Sequence, residues 1–390
     1  MESSTVAPQC VDSAAAHKST QDEKRAVIRE IPIPQPGPGQ FLIKMASASL
    51  CHSDIMLMDY GHSKTLGHEG SGYIDEIHDS VADAGFHKGD KVGFLYIDGV
   101  CNQCAACRAL PLHCLAGKQK LHGYHTDGFF AEYAVVDAQN CARLPDAIDV
   151  KTAAPYFCAG LTAFHAVDSC ELTEGQWLAV VGAGGVGQFA IQIGKAMKLK
   201  VIAVDINDET LDLCKELGAD AVYNSRSNEG FAAEIKQLTQ GGVHAVCVIS
   251  NATAAYSSAP SLLRFGGLLM AVGIPRTPMS ISVNDLIGGR IRIKGESTGS
   301  AQRMQKGVEF FAKHRITTAV EHRKLEEMNN MIDELHAGNA MRPSAHFSTL
   351  LPALMLPRCC CPGDRSCRLT ELESVTLQSS QRSAEYRLRV

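Results

Sequence analysis

The stretch from Trp177 to Ile206, WLAVVGAGGVGQFAIQIGKAMKLKVIAVDI, decides the fold. It opens on five apolar residues and passes through Gly182-Ala183-Gly184-Gly185-Val186-Gly187, which satisfies G-x-G-x-x-G. Alone, that match says little, because a glycine-rich turn can serve packing only. Here it follows a strand-like run, opens the helix-patterned VGQFAIQIGKAM, and is followed by a second apolar run ending on Asp205. This context makes it a dinucleotide fingerprint. Gly182, Gly184, Gly185, Val186 and Gly187 bring the backbone close to a pyrophosphate at a helix N-terminus, and Asp205 would accept hydrogen bonds from the adenosine ribose.

Downstream, the apolar runs HAVCVIS and LLMAVGI alternate with helical patterns at 209–217, 231–238 and 254–263. Strand and helix alternating at this pitch predict an α/β, doubly wound parallel sheet with helices on both faces. Upstream, the stiff turn-rich IPIPQPGPGQ leads into strand-like segments at 41–46, 72–77, 91–97 and 129–136, a β-rich beginning with long loops. Two further helical patterns appear at 302–312 and 325–336. Residues 1–24 read as a loose arm, and 348–390 as an unassigned tail containing the adjacent Cys359, Cys360 and Cys361.

The chain has 390 residues, 45% hydrophobic and 20% charged, with 37 basic against 42 acidic side chains and a net charge of −5. No long run of one charge exists, so nucleic acid is not an expected partner. The longest apolar stretch, 261–275, contains Arg264 and is too short for a membrane span. The N-terminus lacks the pattern of a secretory or transit peptide, so a reduced, cytoplasmic setting is expected. There, regularly spaced cysteines favour metal over disulfides.

Fifteen cysteines are present. Cys101, Cys104, Cys107 and Cys114 form C-x2-C-x2-C-x6-C, four thiolates able to close around one zinc ion as a structural site. Four unrelated thiols or a redox C-x-x-C are the competing explanations, and the second lacks a thioredoxin-like context. A scattered set, Cys51, His68 and Cys158, offers two thiolates and an imidazole with an open fourth position, the ligand pattern of a catalytic zinc. Taken singly, Cys158 could be an ordinary buried thiol and His68 a satisfied core histidine. Asp54 could orient the imidazole from behind, and Glu69 is the other carboxylate beside the set.

With these motifs in view, the chain resembles the zinc-dependent medium-chain alcohol dehydrogenases, close to their microbial tetrameric branch, over about residues 25–345. The supporting segments are EIPIPQPGPGQ, CHSDIM, LGHEGSG, the four-cysteine lobe, DGFFAEYAVV, AAPYFCAGLTAF, VVGAGGVGQFAIQIGKAM and VDINDETLDLCKELGAD. The resemblance implies a GroES-like catalytic domain (25–160 and 297–347) and a Rossmann NAD-binding domain (161–296). It also implies two zinc ions per subunit, NAD, a small alcohol or aldehyde substrate, and a homo-oligomer, tetramer or dimer. Cys51, His68 and Cys158 would hold the catalytic zinc, with Glu69 able to exchange onto it, and the four-cysteine set would hold the structural zinc. His52 and Arg342 match pyrophosphate contacts, while Thr162, Val186 and the Val272 backbone match the nicotinamide surroundings. Ser53 matches the hydroxyl that takes the alcohol proton. The chain departs from the family in a shortened Cys51–His68 interval, in Met56 where a relay histidine often sits, in Thr210 for a ribose-binding lysine, and in a degenerate closing strand, PSAHF. The rival functions are a polyol or secondary-alcohol dehydrogenase of the same superfamily, and an impaired protein that binds NAD and zinc without turnover.

Overall fold

Six parallel strands form the sheet around the fingerprint, in the edge-to-edge order Ala221–Asn224, Lys200–Asp205, Trp177–Val181, Val243–Val248, Leu263–Ala271 and Ile291–Gly295. The molecule is described as a computed structural model over residues 25–59, 64–336, 346–350 and 385–389. The central strands are mostly apolar because both faces are covered. Side chains alternate across the sheet with period two. Leu178, Val180, Val201, Ala203, Ala245 and Cys247 enter one core, while Ala179, Val181, Ile202, Val204, Val246 and Val248 enter the other. Helices Gly185–Ala196, Asp208–Glu216, Phe231–Leu238 and Thr253–Leu262 supply the connections. The edge strands Ala221–Asn224 and Ile291–Gly295 carry no fully buried residue, so neither produced a legible apolar run.

The second sheet is mainly antiparallel, in the order Val320–Arg323, His346–Leu350, Gln40–Leu50, Gly70–Ile77, Lys91–Phe94 and Cys141–Arg143, with Tyr133–Asp137 also paired to Gln40–Leu50. Two expected strands are shorter than the pattern suggested. The run 91–97 breaks into Lys91–Phe94 and Ile97–Asp98, the latter pairing with Lys120–Leu121 across the neck of the four-cysteine lobe. The run 129–136 becomes a strand only at Tyr133, because the backbone of 128–130 instead bonds to 65–67: Gly128 N donates to Thr65 O at 2.8 Å, Phe129 N to Gly67 O at 2.9 Å and Phe130 N to Leu66 O at 3.0 Å. Those bonds fix the approach to His68.

The closing strand forms despite its degenerate sequence, because backbone pairing needs no particular side chain. His346–Leu350 runs antiparallel to 47–50 and parallel to Val320–Arg323, carrying the pairing to Leu350. Within the stretch read as tail, Glu385–Arg389 pairs antiparallel with Val27–Ile31. Arg342, the cysteine triplet at 359–361 and the arm lie outside the described residues. Among the described residues, no helix is long and apolar enough to cross a membrane.

Candidate functional site

Folding brings Cys51, His68, Glu69 and Cys158 together, with their ligand atoms all within 4.8 Å of one another. Cys51 ends the turn into helix His52–Asp59, His68 and Glu69 precede strand Gly70–Ile77, and Cys158 precedes helix Ala159–Asp168. His68 Nε2 stands 3.5 Å from Cys158 Sγ. Zinc–nitrogen and zinc–sulfur bonds at a tetrahedral angle would require about 3.6 Å.

Asp54 organises this set from behind. It is fully buried and accepts from Cys51 N at 2.9 Å and Gly67 N at 3.1 Å, while its Oδ1 lies 3.0 Å from His68 Nδ1. One carboxylate thus locks the backbone at one thiolate and the ring of the imidazole, leaving Nε2 to face the cluster. Burial opposes charge on His68, but Asp54 and the neighbouring tyrosine and thiols outweigh it and hold the imidazole well above its usual value. Hydrogen bonding from Cys158 holds the Cys51 thiol well below its usual value, and the same contact together with burial raises Cys158.

Glu69 is also fully buried. Its Oε2 accepts from the Ser49 hydroxyl, whereas Oε1 has no hydrogen-bond partner. An orphaned buried carboxylate oxygen is costly unless a cation or proton answers it. Burial and the nearby Cys51 hold this carboxyl well above the ordinary range. Two thiols, an imidazole and this spare oxygen fit a zinc ion.

The four-cysteine lobe has the closed form. Cys101 Sγ lies 3.9 Å from Cys107 Sγ and 3.7 Å from Cys114 Sγ, with all four sulfurs within 4.8 Å. Tetrahedral zinc–thiolate bonds of about 2.3 Å set sulfurs about 3.8 Å apart. Backbone donors already converge here: Cys107 N donates to Cys104 Sγ at 3.3 Å and Cys101 N to Cys114 Sγ at 3.4 Å. Such donors stabilise thiolates.

The glycine fingerprint opens between strand Trp177–Val181 and helix Gly185–Ala196. Gly182 has φ +91°, where a side chain would be strained and would meet Ser250 N at 2.6 Å. A side chain at Gly187 would meet Gly182 O at 2.3 Å, whereas one at Gly184 would project into open space above the helix N-terminus. The first and last glycines therefore serve the fold, and the middle one leaves room for a ligand phosphate. Asp205 Oδ2 accepts from Ala183 N at 2.7 Å, and Oδ1 accepts from Ile206 N at 2.7 Å and Asn207 N at 3.1 Å. Its carboxylate ties the glycine turn to the end of the next strand.

Thr162 lies in the first turn of the helix that Cys158 precedes, its N–H donating to Cys158 O at 2.9 Å. Val186 is half-buried in the first turn of its helix, and Val272 follows the C-terminal end of strand Leu263–Ala271, donating to Val248 O at 3.0 Å. His52 is exposed, with Nε2 3.3 Å from Asn251 Nδ2 across the cleft. Ser53 is half-buried and Met56 exposed on the same helix.

Two tyrosines escaped the sequence reading. Tyr96 and Tyr124 stack on each other at 5.7 Å and meet the His68 ring edge-on at 5.4 and 5.6 Å. Burial raises both phenols, Tyr96 out of the ordinary range and Tyr124 up to about 12. The only signal available was two aromatics flanking the four-cysteine lobe, and nothing in their spacing points to His68.

Comparison with known proteins agrees with this architecture. Residues 37–146 match the family model described as alcohol dehydrogenase GroES-like domain, and 185–313 match that of zinc-binding dehydrogenase. An alcohol dehydrogenase of Rhizobium meliloti (strain 1021) is 34% identical over 321 residues, covering 81% of this chain and 93% of that protein. One from Geobacillus stearothermophilus is 34% identical over 324 residues, covering 82% and 95%. The crystal structure of the alcohol dehydrogenase of the archaeon Aeropyrum pernix superposes with a TM-score of 0.73 at 28% identity, covering 83% of this chain and 95% of that one. With two family models matching 37–146 and 185–313 and relatives 34% identical over more than four fifths of its length, the chain belongs to the zinc-dependent medium-chain alcohol dehydrogenase family.

Proposed function

We propose that the protein is an NAD-dependent alcohol dehydrogenase that reversibly oxidises small alcohols, primary ones first, to aldehydes or ketones. The observation that carries this reading is the convergence of Cys51, His68, Glu69 and Cys158 in a chain that also carries the glycine turn, with open space at Gly184 before helix Gly185–Ala196. When bound, zinc in the cluster would supply a Lewis acid for the alcohol oxygen, and NAD at the glycine turn would supply the hydride acceptor. Cys51, His68 and Cys158 hold that ion with Glu69 in reserve, while Cys101, Cys104, Cys107 and Cys114 hold the structural one. Ser53 is the hydroxyl that takes the alcohol proton. Gly182, Gly184, Gly185, Val186, Gly187, Asp205, Thr162, Val272, His52 and Arg342 form the NAD site, Arg342 lying outside the described residues.

The test is an alcohol panel on metal-replete protein with NAD and NADP. Absence of alcohol-dependent NAD reduction, with NADH and zinc still bound, would overturn the reading.

A cytoplasmic location suits the many thiols. We also assign a second copy of the chain, in a dimer or tetramer, to the edge of the parallel sheet. There Ile291–Gly295 pairs on one side only among the described residues, and Phe265, Ile274, Val283 and Ile287 are exposed nearby in sequence. Light scattering that gives a monomer at micromolar concentration would remove that assignment.

A further inference from the structure

Resting on the alcohol dehydrogenase reading, we propose that Ser49 is a positioning residue that tethers Glu69 by Oε2, holding the carboxylate off the metal position kept for the alcohol. The tether follows from the strand register. Strands Gln40–Leu50 and Gly70–Ile77 run antiparallel with Ser47 opposite Ser71 and Ala48 opposite Gly70. The ladder continues one rung further, where Ser49 N donates to Glu69 O at 3.3 Å. Side chains directly opposite on such a pair stand on one face, within reach of each other. Ser49 Oγ accordingly donates to Glu69 Oε2, with both residues fully buried.

A serine hydroxyl has a single proton to give. Spent on Oε2, it leaves Oε1 as the free oxygen, and among the described residues Oε1 has no hydrogen-bond partner. The same two strand ends deliver metal ligands: Cys51 lies two residues beyond Ser49, and His68 immediately before Glu69. A carboxylate oxygen of Glu69 is thereby brought within 4.8 Å of both sulfurs and of the imidazole nitrogen. An anion so placed competes with the substrate oxygen for a cation unless something restrains it. Among the described residues, Ser49 is the side chain that hydrogen-bonds this carboxylate.

The preceding rung supplies the control. Ser47 Oγ lies 3.2 Å from Ser71 Oγ, which donates to Val150 O at 2.7 Å, and both serines are fully buried. Chemistry and burial match those of Ser49, but these hydrogen bonds reach no carboxylate and no metal ligand. Those hydroxyls serve the fold, whereas the Ser49 hydroxyl also sets where Glu69 can go.

The test uses metal-replete protein with Ser49→Ala, Glu69→Gln, the pair, and Ser47→Ala. Each is read for metal release to a chromogenic chelator, kcat, KM for one primary alcohol, and Tm. Cobalt exchanged into the open cluster, with zinc kept in the lobe, adds visible bands whose position reports the ligands of the ion. One hydrogen bond to a charged group shifts an equilibrium about tenfold or more. Freed by Ser49→Ala, Glu69 should settle on the metal. Release from the open cluster then slows about five- to tenfold and the cobalt bands move. KM rises about five- to tenfold with kcat within about twofold, because the form open to alcohol has become a minority. In Glu69→Gln the same serine substitution should change none of these, and Ser47→Ala should lower Tm alone. Unchanged metal release and cobalt bands in Ser49→Ala, or the same changes without the Glu69 carboxylate, would overturn the proposal. If Ser49→Ala yields too little folded protein, Glu69→Gln decides alone: bands at the wild-type position support a carboxylate held off the metal, and displaced bands refute it. A wild type that reduces NAD with no alcohol would instead overturn the functional reading, while metal release and cobalt bands would still decide the tether.

Discussion

Asp54→Asn isolates the claim that one buried carboxylate organises the Cys51–His68–Cys158 cluster. The replacement keeps the size of the side chain but leaves one oxygen to serve Cys51 N, Gly67 N and His68 Nδ1, which the native group meets at 2.9, 3.1 and 3.0 Å. The new amide nitrogen must face an N–H donor in a site with no water access. Stranding one buried donor costs about 1–3 kcal/mol of folding free energy. Losing the charged partner of a ligating histidine lowers metal affinity about 10- to 100-fold. The lobe should be untouched, since Asp54 bonds to none of its four cysteines. Zinc release followed against a chelator should therefore show one fast and one wild-type-like ion, where the wild type shows two slow ones, and urea unfolding should report the stability loss. Two ions held as in the wild type, with a stability change below about 0.5 kcal/mol, would refute the organising role.

The two metal sites should separate by substitution: Cys104→Ser is expected to lower Tm and protein yield, because metal binding there is folding free energy, while Cys158→Ser should keep the lobe zinc and lose turnover, as zinc analysis beside kcat will show. Asp205→Ala should narrow the preference for NAD over NADP in kcat/KM, since a carboxylate at the ribose repels a 2′-phosphate, and equal use of both cofactors by the wild type would contradict this. The buried His165 imidazole is pushed down to about 4 by burial, with Arg303 adding to it, and neither ring nitrogen has a hydrogen-bond partner. Its folded value lies below the unfolded one of about 6.5, so its contribution is whole above that pH and falls as the pH drops toward 4. Between pH 7.5 and 5 the loss is about 2 kcal/mol. Urea midpoints should show it in the wild type and a flatter profile in His165→Leu.

The sequence by itself determined those features whose physics is local. G-x-G-x-x-G between an apolar strand and an amphipathic helix, and thiols at three-residue intervals, carry their meaning in spacing, because a tight turn and a closed metal loop are built from neighbours. The central strands were legible for the same reason, being apolar on both faces. Only the tertiary structure decided that Cys158 meets His68 from 90 residues away, that Asp54 serves three donors at once, and that Glu69 keeps an oxygen without a partner. It also ended the expected strand at 129–136 early, since residues 128–130 found backbone partners at 65–67, and placed Tyr124 against the rings of Tyr96 and His68. Periodicity records which face of an element is buried. Which distant face covers it, and which polar groups are thereby cut off from water and forced to find one another, is settled only by packing.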